Sequence, residues 1–218
     1  MPTGFQSIND WGTVQFDENY SAVGLRAAPV ITVAGYPNKT YYDVYGVSPM
    51  LFLGNTNGIG VVVLSRVYIG TNLWRFTLRA NSQADVKLYI FDKGPPAASN
   101  SGMQVFNASG ELTYDAAYMV LTLKDVFQVT GTGPNSFSIP QDGRSYAAAM
   151  SFSRMWVEKR PITHSPWDLY QEAMWVSGTS IYIDDIKVGS VGGEDPGSNR
   201  PKSTRGPPQV LLADVTYM

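Results

Sequence analysis

Gly4-Phe5-Gln6-Ser7-Ile8-Asn9-Asp10-Trp11-Gly12 returns 98 residues later as Gly102-Met103-Gln104-Val105-Phe106-Asn107-Ala108-Ser109-Gly110. The correspondence runs on through Asp17 with Asp115, Tyr20 with Tyr118 and Leu25 with Leu123. Conservative pairs such as Phe16 with Tyr114 and Arg26 with Lys124 lie between and beside them. Chance alone gives roughly one or two identities over a window of this length, and this one holds seven. The pattern predicts a tandem duplication, in which each copy opens with a β-hairpin. Asn bonds its own backbone in a turn, and Gly accepts positive φ. Gln6 and Gln104 then fall in the first strand, and Asp17 and Asp115 end the second, where a carboxylate caps backbone amides.

Outward from this motif, short β-branched and aromatic runs alternate with Gly, Asn, Asp and Pro, and helical periodicity is almost absent. Strands are expected near Val30 to Ala34, Tyr41 to Val47, Gly60 to Tyr68, Leu73 to Ala80 and Val86 to Phe91. In the second half they are expected near Tyr118 to Leu123, Ser136 to Ile139, Ala147 to Trp156, Met174 to Val176, Ser180 to Val188 and Val210 to Thr216. The fold class is all-β, with two tandem β-sandwich-like modules, residues 1–93 and 102–218, joined by a linker over 94–101. Weaker matches extend the repeat: Gly70, Thr71, Leu73 and Trp74 with Gly178, Thr179, Ile181 and Tyr182, and Val86 and Leu88 with Val210 and Leu212. The growing offset places insertions in the second copy at about 160–175 and 189–208. One short helix is expected in the first insertion, capped by Ser165, with Pro166 in its first turn and Trp167, Tyr170 and Met174 on one face.

The 218 residues carry a net charge of -2 and no cysteine. A general nucleic-acid binder needs a basic surface, and disulfides, thiolate metal sites and cysteine nucleophiles need cysteine. The start reads as lacking a secretory signal, and the longest apolar run, Ile59 to Leu64, is too short to span a bilayer. Synthesis in the cytoplasm without a signal peptide and no membrane insertion are the expectations. His164 is the only histidine. A Ser-His-Asp relay built on it with Ser165 and Asp168 lacks a nucleophile elbow, so a surface or capping role is the simpler reading and no catalytic residue is assigned. Asp184 and Asp185 are adjacent in a strand and point to opposite faces, which opposes a shared metal site; Glu194 and Asp195 need further ligands. No metal or cofactor is expected.

Two groups remain as candidate contact residues. Trp156, Trp167, Tyr170 and Trp175 cluster in the second copy, where exposed rings would stack on sugars and buried ones would fill a core. The Gly/Pro/Ser-rich stretch 189–208 carries Arg200, Lys202, Arg205, Pro207 and Pro208, an expected interface with a neighbouring subunit.

The stretch Gly102 to Leu112, preceded by Tyr89-Ile90-Phe91-Asp92, together with Gly4 to Asp10, resembles a pattern in small virion proteins of tailed bacteriophages. The resemblance implies a non-enzymatic, β-rich structural component of the tail tip, baseplate or tail fibre. Its implied partners are other phage tail proteins and further copies of itself as a homo-oligomer. It transfers no catalytic residue. A carbohydrate-binding module contacting host-surface glycans through the four aromatics is the alternative.

Overall fold

A computed structural model describes residues 6–8, 14–17, 23–93, 100, 102–131, 133–158, 167–191 and 206–218. The first half contributes β1 (Gln6–Ile8), β2 (Val14–Asp17), β3 (Val23–Ala27), β4 (Val30–Val33), β5 (Thr40–Tyr45), β6 (Met50–Leu53), β7 (Val61–Gly70), β8 (Leu73–Ala80) and β9 (Ala84–Lys93). The second contributes β10 (Gln104–Phe106), β11 (Leu112–Asp115), β12 (Thr122–Gln128), β13 (Asn135–Ser138), β14 (Tyr146–Met150), β15 (Met155–Glu158), β16 (Trp167–Ser177), β17 (Ser180–Val191) and β18 (Gln209–Asp214). The described residues are all-β, without a helix.

Two antiparallel sheets dominate. One runs β12-β18-β14-β6-β9-β3, with β4 also on β9; the other runs β13-β17-β16-β7-β8-β5, with β15 also on β16. Each therefore draws strands from both halves. With β3, β9 and β6 matched to β12, β18 and β14, and β5, β8 and β7 to β13, β17 and β16, both orders read the same from either end. The halves meet along a narrow seam, where Leu53 faces Ala148 in the first sheet and Val61 faces Met174 in the second.

Alternation of side chains explains how the layers pack. Leu51, Leu53, Leu88, Ile90, Ala148 and Leu212 meet Val61, Phe76, Leu78, Met174, Ile181 and Ile183 between the sheets. The first sheet is apolar on its other face as well, where Phe52, Tyr89, Phe91, Ala147 and Ala213 form a second cluster with Val215. That face is concave. Residues just before β12 bond back to β3, Leu25 N to Met119 O at 2.8 Å and Leu121 N to Val23 O at 2.7 Å, so the two ends of the sheet are tied into a curled half-barrel.

The helix expected from Ser165 is corrected. Ser165 and Pro166 lie outside the described residues, but Trp167 onward is the 11-residue strand β16, paired along its length with β17. The capping signal is local, whereas the hairpin partner supplies a ladder of backbone bonds and sheds Tyr170, Glu172, Met174 and Val176 to one face. The expected single strand from Ala147 to Trp156 is two, β14 and β15, which join different sheets. Strands β3 and β6 appear where none was expected.

Candidate functional site

The hairpin motif behaves as its residue types demand. Asn107 Oδ1 accepts from the amides of Ser109 and Glu111, each at 2.9 Å, and Gly110 closes the turn at φ 78°. Asp115 is 1% exposed and caps the chain beyond, accepting from Ala117 N at 2.8 Å and from Gln104 Nε2 at 2.8 Å. The β1–β2 pair has the same register as β10–β11, with Gln6 opposite Asp17 as Gln104 is opposite Asp115, and with a shift at the same step. The turn Asn9 to Gly12 lies outside the described residues.

The four aromatics named from the sequence do not form one platform. Trp156 stacks on its cross-strand partner Tyr170, centroids 4.8 Å apart. Trp175 stacks instead on Tyr182, at 5.5 Å. Tyr170 and Trp175 stand an odd number of residues apart in a regular stretch of β16, so the two stacks project from opposite faces. Trp167 is buried. Arg200, Lys202 and Arg205 lie outside the described residues, as do His164, Glu194 and Asp195. Pro207 is exposed, whereas Pro208 is buried and its carbonyl accepts from Val129 N at 2.9 Å. Asp184 and Asp185 face Ala173 and Glu172 in turn, on opposite sides of the sheet. Among the described residues no three His, Cys, Asp or Glu side chains converge as a metal site would require.

A buried ion pair beside the seam escaped sequence reading. Arg154 grips Glu172 through Nε, at 3.0 and 2.9 Å to the two carboxylate oxygens, and through a short Nη2 bond. Both side chains are almost fully enclosed, and Glu172 Oε2 also accepts from Arg154 N at 3.1 Å. The carboxylate hydrogen bonds hold the guanidinium pKa above its ordinary value. Reciprocal backbone and side-chain bonding of this kind fixes β15 against β16.

An exposed aromatic surface lies at one end of the same sheet. Strand β5 is its last strand and, among the described residues, pairs with β8 alone. It alternates cleanly: Tyr42 and Val44 turn to the core, while Tyr41 at 60% and Tyr45 at 72% exposure turn to solvent. Asp43, between the two exposed rings, receives Nε and Nη2 of Arg75 at 2.8 and 2.7 Å, and this pairing holds its carboxyl below the usual range. The Arg75 guanidinium also lies over the Tyr41 ring at 5.4 Å. Val67, opposite Arg75, extends the surface.

The seam itself holds two cavities on either side of the Leu53–Ala148 contact. One, about 450 Å³, is mainly apolar, bounded by Met50, Phe52, Phe76, Met150 and Met174 with Arg66 among its lining. The other, about 460 Å³, is polar, bounded by Asn55, Lys87, Tyr89, Gln141, Arg144 and Tyr146.

No family model, curated protein or solved structure matches this chain.

Proposed function

We propose that the chain is a non-enzymatic structural component of a bacteriophage tail, at the tail tip, baseplate or fibre attachment, acting by protein-protein assembly as a homo-oligomer. The observation that carries the assembly reading is the solvent-facing row Tyr41, Tyr45 and Val67 on the open end of a sheet. Contiguous exposed aromatic surface marks an interface, and a strand with an unpaired edge is a template for another strand. The partner we infer is a second copy: an antiparallel β5 contact is self-complementary and closes as a dimer. The phage assignment rests on the hairpin motif. Assembly inside the host and residence in the virion belong to the same reading.

An internal duplication, giving two sandwich-like modules, belongs to this proposal too. Its supports are the equal registers of the two hairpins and the strand orders that read alike from both ends. Native mass spectrometry tests the assembly reading. The wild-type chain is expected as an oligomer and the Tyr41→Ser/Tyr45→Ser variant as a folded monomer. A wild-type monomer, or a variant that still assembles, would overturn the β5 interface.

The second reading, binding of host-surface glycans, keeps one observation in its favour. Trp175 and the exposed Tyr182 form a two-ring surface on a sheet face. A glycan array with wild-type and Trp175→Ala protein checks it.

A further inference from the structure

We propose that the polar seam cavity is a binding site for a single acidic sugar residue. The inference goes beyond the assembly reading and deepens the glycan reading, on which it rests, by assigning the site and the ligand charge.

The cavity is bounded from both halves: Asn55, Lys87 and Tyr89 come from the first, and Gln141, Arg144 and Tyr146 from the second. Its polar atoms are not used up by the fold. Asn55 spends its carbonyl on Asn57 N at 2.9 Å, which leaves its amide N–H groups to donate. Gln141 does the reverse: Nε2 donates to Ile139 O at 2.9 Å, and its carbonyl oxygen is left to accept. One donor and one acceptor of planar shape suit the paired hydroxyls of a pyranose.

Charge decides which kind of sugar. Arg144 is already neutralised by Asp214 and lies 3.9 Å from Asp142. Lys87 has no carboxylate within 4.0 Å among the described residues; its ammonium donates to the Ala28 carbonyl and lies 5.5 Å over the Tyr89 ring. Two of its three N–H bonds are left for a ligand. Lys87 lines this polar cavity, and an ammonium without a carboxylate partner at its wall attracts one carboxylate, whereas the several converging unpaired cations that a phosphate or nucleotide would engage are not found there among the described residues. The cavity's roughly 460 Å³ falls in the lower part of the range for small-molecule sites, enough for one ring and its substituents. Tyr89, Ile139 and Val176 supply apolar wall for the ring's C–H face.

The test is ligand-observed NMR followed by calorimetric titration of the full-length chain with millimolar glucuronate, galacturonate, N-acetylneuraminate and 3-deoxy-octulosonate, against glucose and galactose. At least one acidic sugar is expected to bind, more weakly as salt is raised, with the neutral sugars silent. Lys87→Met is expected to weaken that binding about tenfold or more, the loss of one charge-assisted contact. Gln141→Ala, at an exposed loop position, is expected to weaken it in a protein whose fold is untouched. Acidic and neutral sugars binding alike, or binding lost in Trp175→Ala and kept in both cavity variants, would overturn the inference and leave the glycan reading standing. Silence of all six sugars would overturn the inference, and silence on the glycan array as well would remove the glycan reading with it.

Discussion

Tyr146 sits at the seam with its hydroxyl donating to Asp142 at 2.7 Å, and burial followed by that bond pushes its pKa from 10.0 up to about 12. The neutral phenol is thus favoured in the folded chain over the unfolded one. Its contribution to stability is fully present below pH 10 and is lost as pH rises towards 12. Urea midpoints of Tyr146→Phe are therefore expected to fall less steeply than wild type across that window. The neighbouring carboxylates act with the opposite sign. Asp142, bonded to Tyr146, and Asp214, bonded first to Thr216 and then to Arg144, are held below the usual range. What they contribute is present above about pH 4 and lost as pH falls through their folded values. A second residue-scale constraint is steric. A Cβ on Gly24 would lie 1.8 Å from the Tyr118 ring, inside the contact that ties β3 to the chain before β12. Gly24→Ala is expected to cost more than about 2 kcal/mol, as overpacking in a closed site does. In a Tyr118→Ala background the same change should cost far less, and a denaturation double-mutant cycle reads the difference.

At the scale of elements, the two small hairpins stand apart from the two main sheets. A two-stranded hairpin is marginal alone, so β10–β11 depends on its turn and cap bonds. Asp115→Ala removes the carboxylate that accepts from Gln104 Nε2 and caps Ala117 N, and a cost of about 1–3 kcal/mol is expected. Hydrogen exchange should locate that cost: faster exchange in residues 104–115 and unchanged protection in β14 and β18. These hairpins were legible in the sequence because their information is local: Asn107 and Gly110 act within the turn, and Asp115 reaches from Ala117 no further than across the hairpin to Gln104. Strand β16 was not, for the complementary reason. Trp167, Tyr170 and Met174 fit a helical face by spacing, and only the partner strand β17, across the turn at Gly178, selects alternation. Strands β3 and β6 were hidden likewise, since their short runs are defined by pairing with β9. The cavity residues were invisible for a stronger form of the same cause: Lys87 and Gln141 line one cavity through tertiary packing alone.

At the scale of the whole molecule, the question is whether the two halves behave as units. The repeat in the sequence points to two modules, each with its own β-rich segment. The sheets, however, run across the junction, and the buried cluster between them is continuous from Leu88 and Phe76 of the first half to Leu212 and Ile183 of the second. Separating the halves would bare Leu53, Val61, Ala148 and Met174, all nearly inaccessible in the intact chain. Burial of such side chains is worth roughly 1.5–3 kcal/mol for each large one. Unfolding one half should therefore strip most of the support from the other, so calorimetry is expected to show a single transition for the two sheets. Leu53→Ala makes the test specific to the seam. It should lower stability by about 2–5 kcal/mol and shift the one transition downward without dividing it. Two resolved transitions in the wild-type chain would show that the seam is a contact between independently stable modules. A single transition that splits only in Leu53→Ala would show that coupling across it is weaker than its continuous core implies.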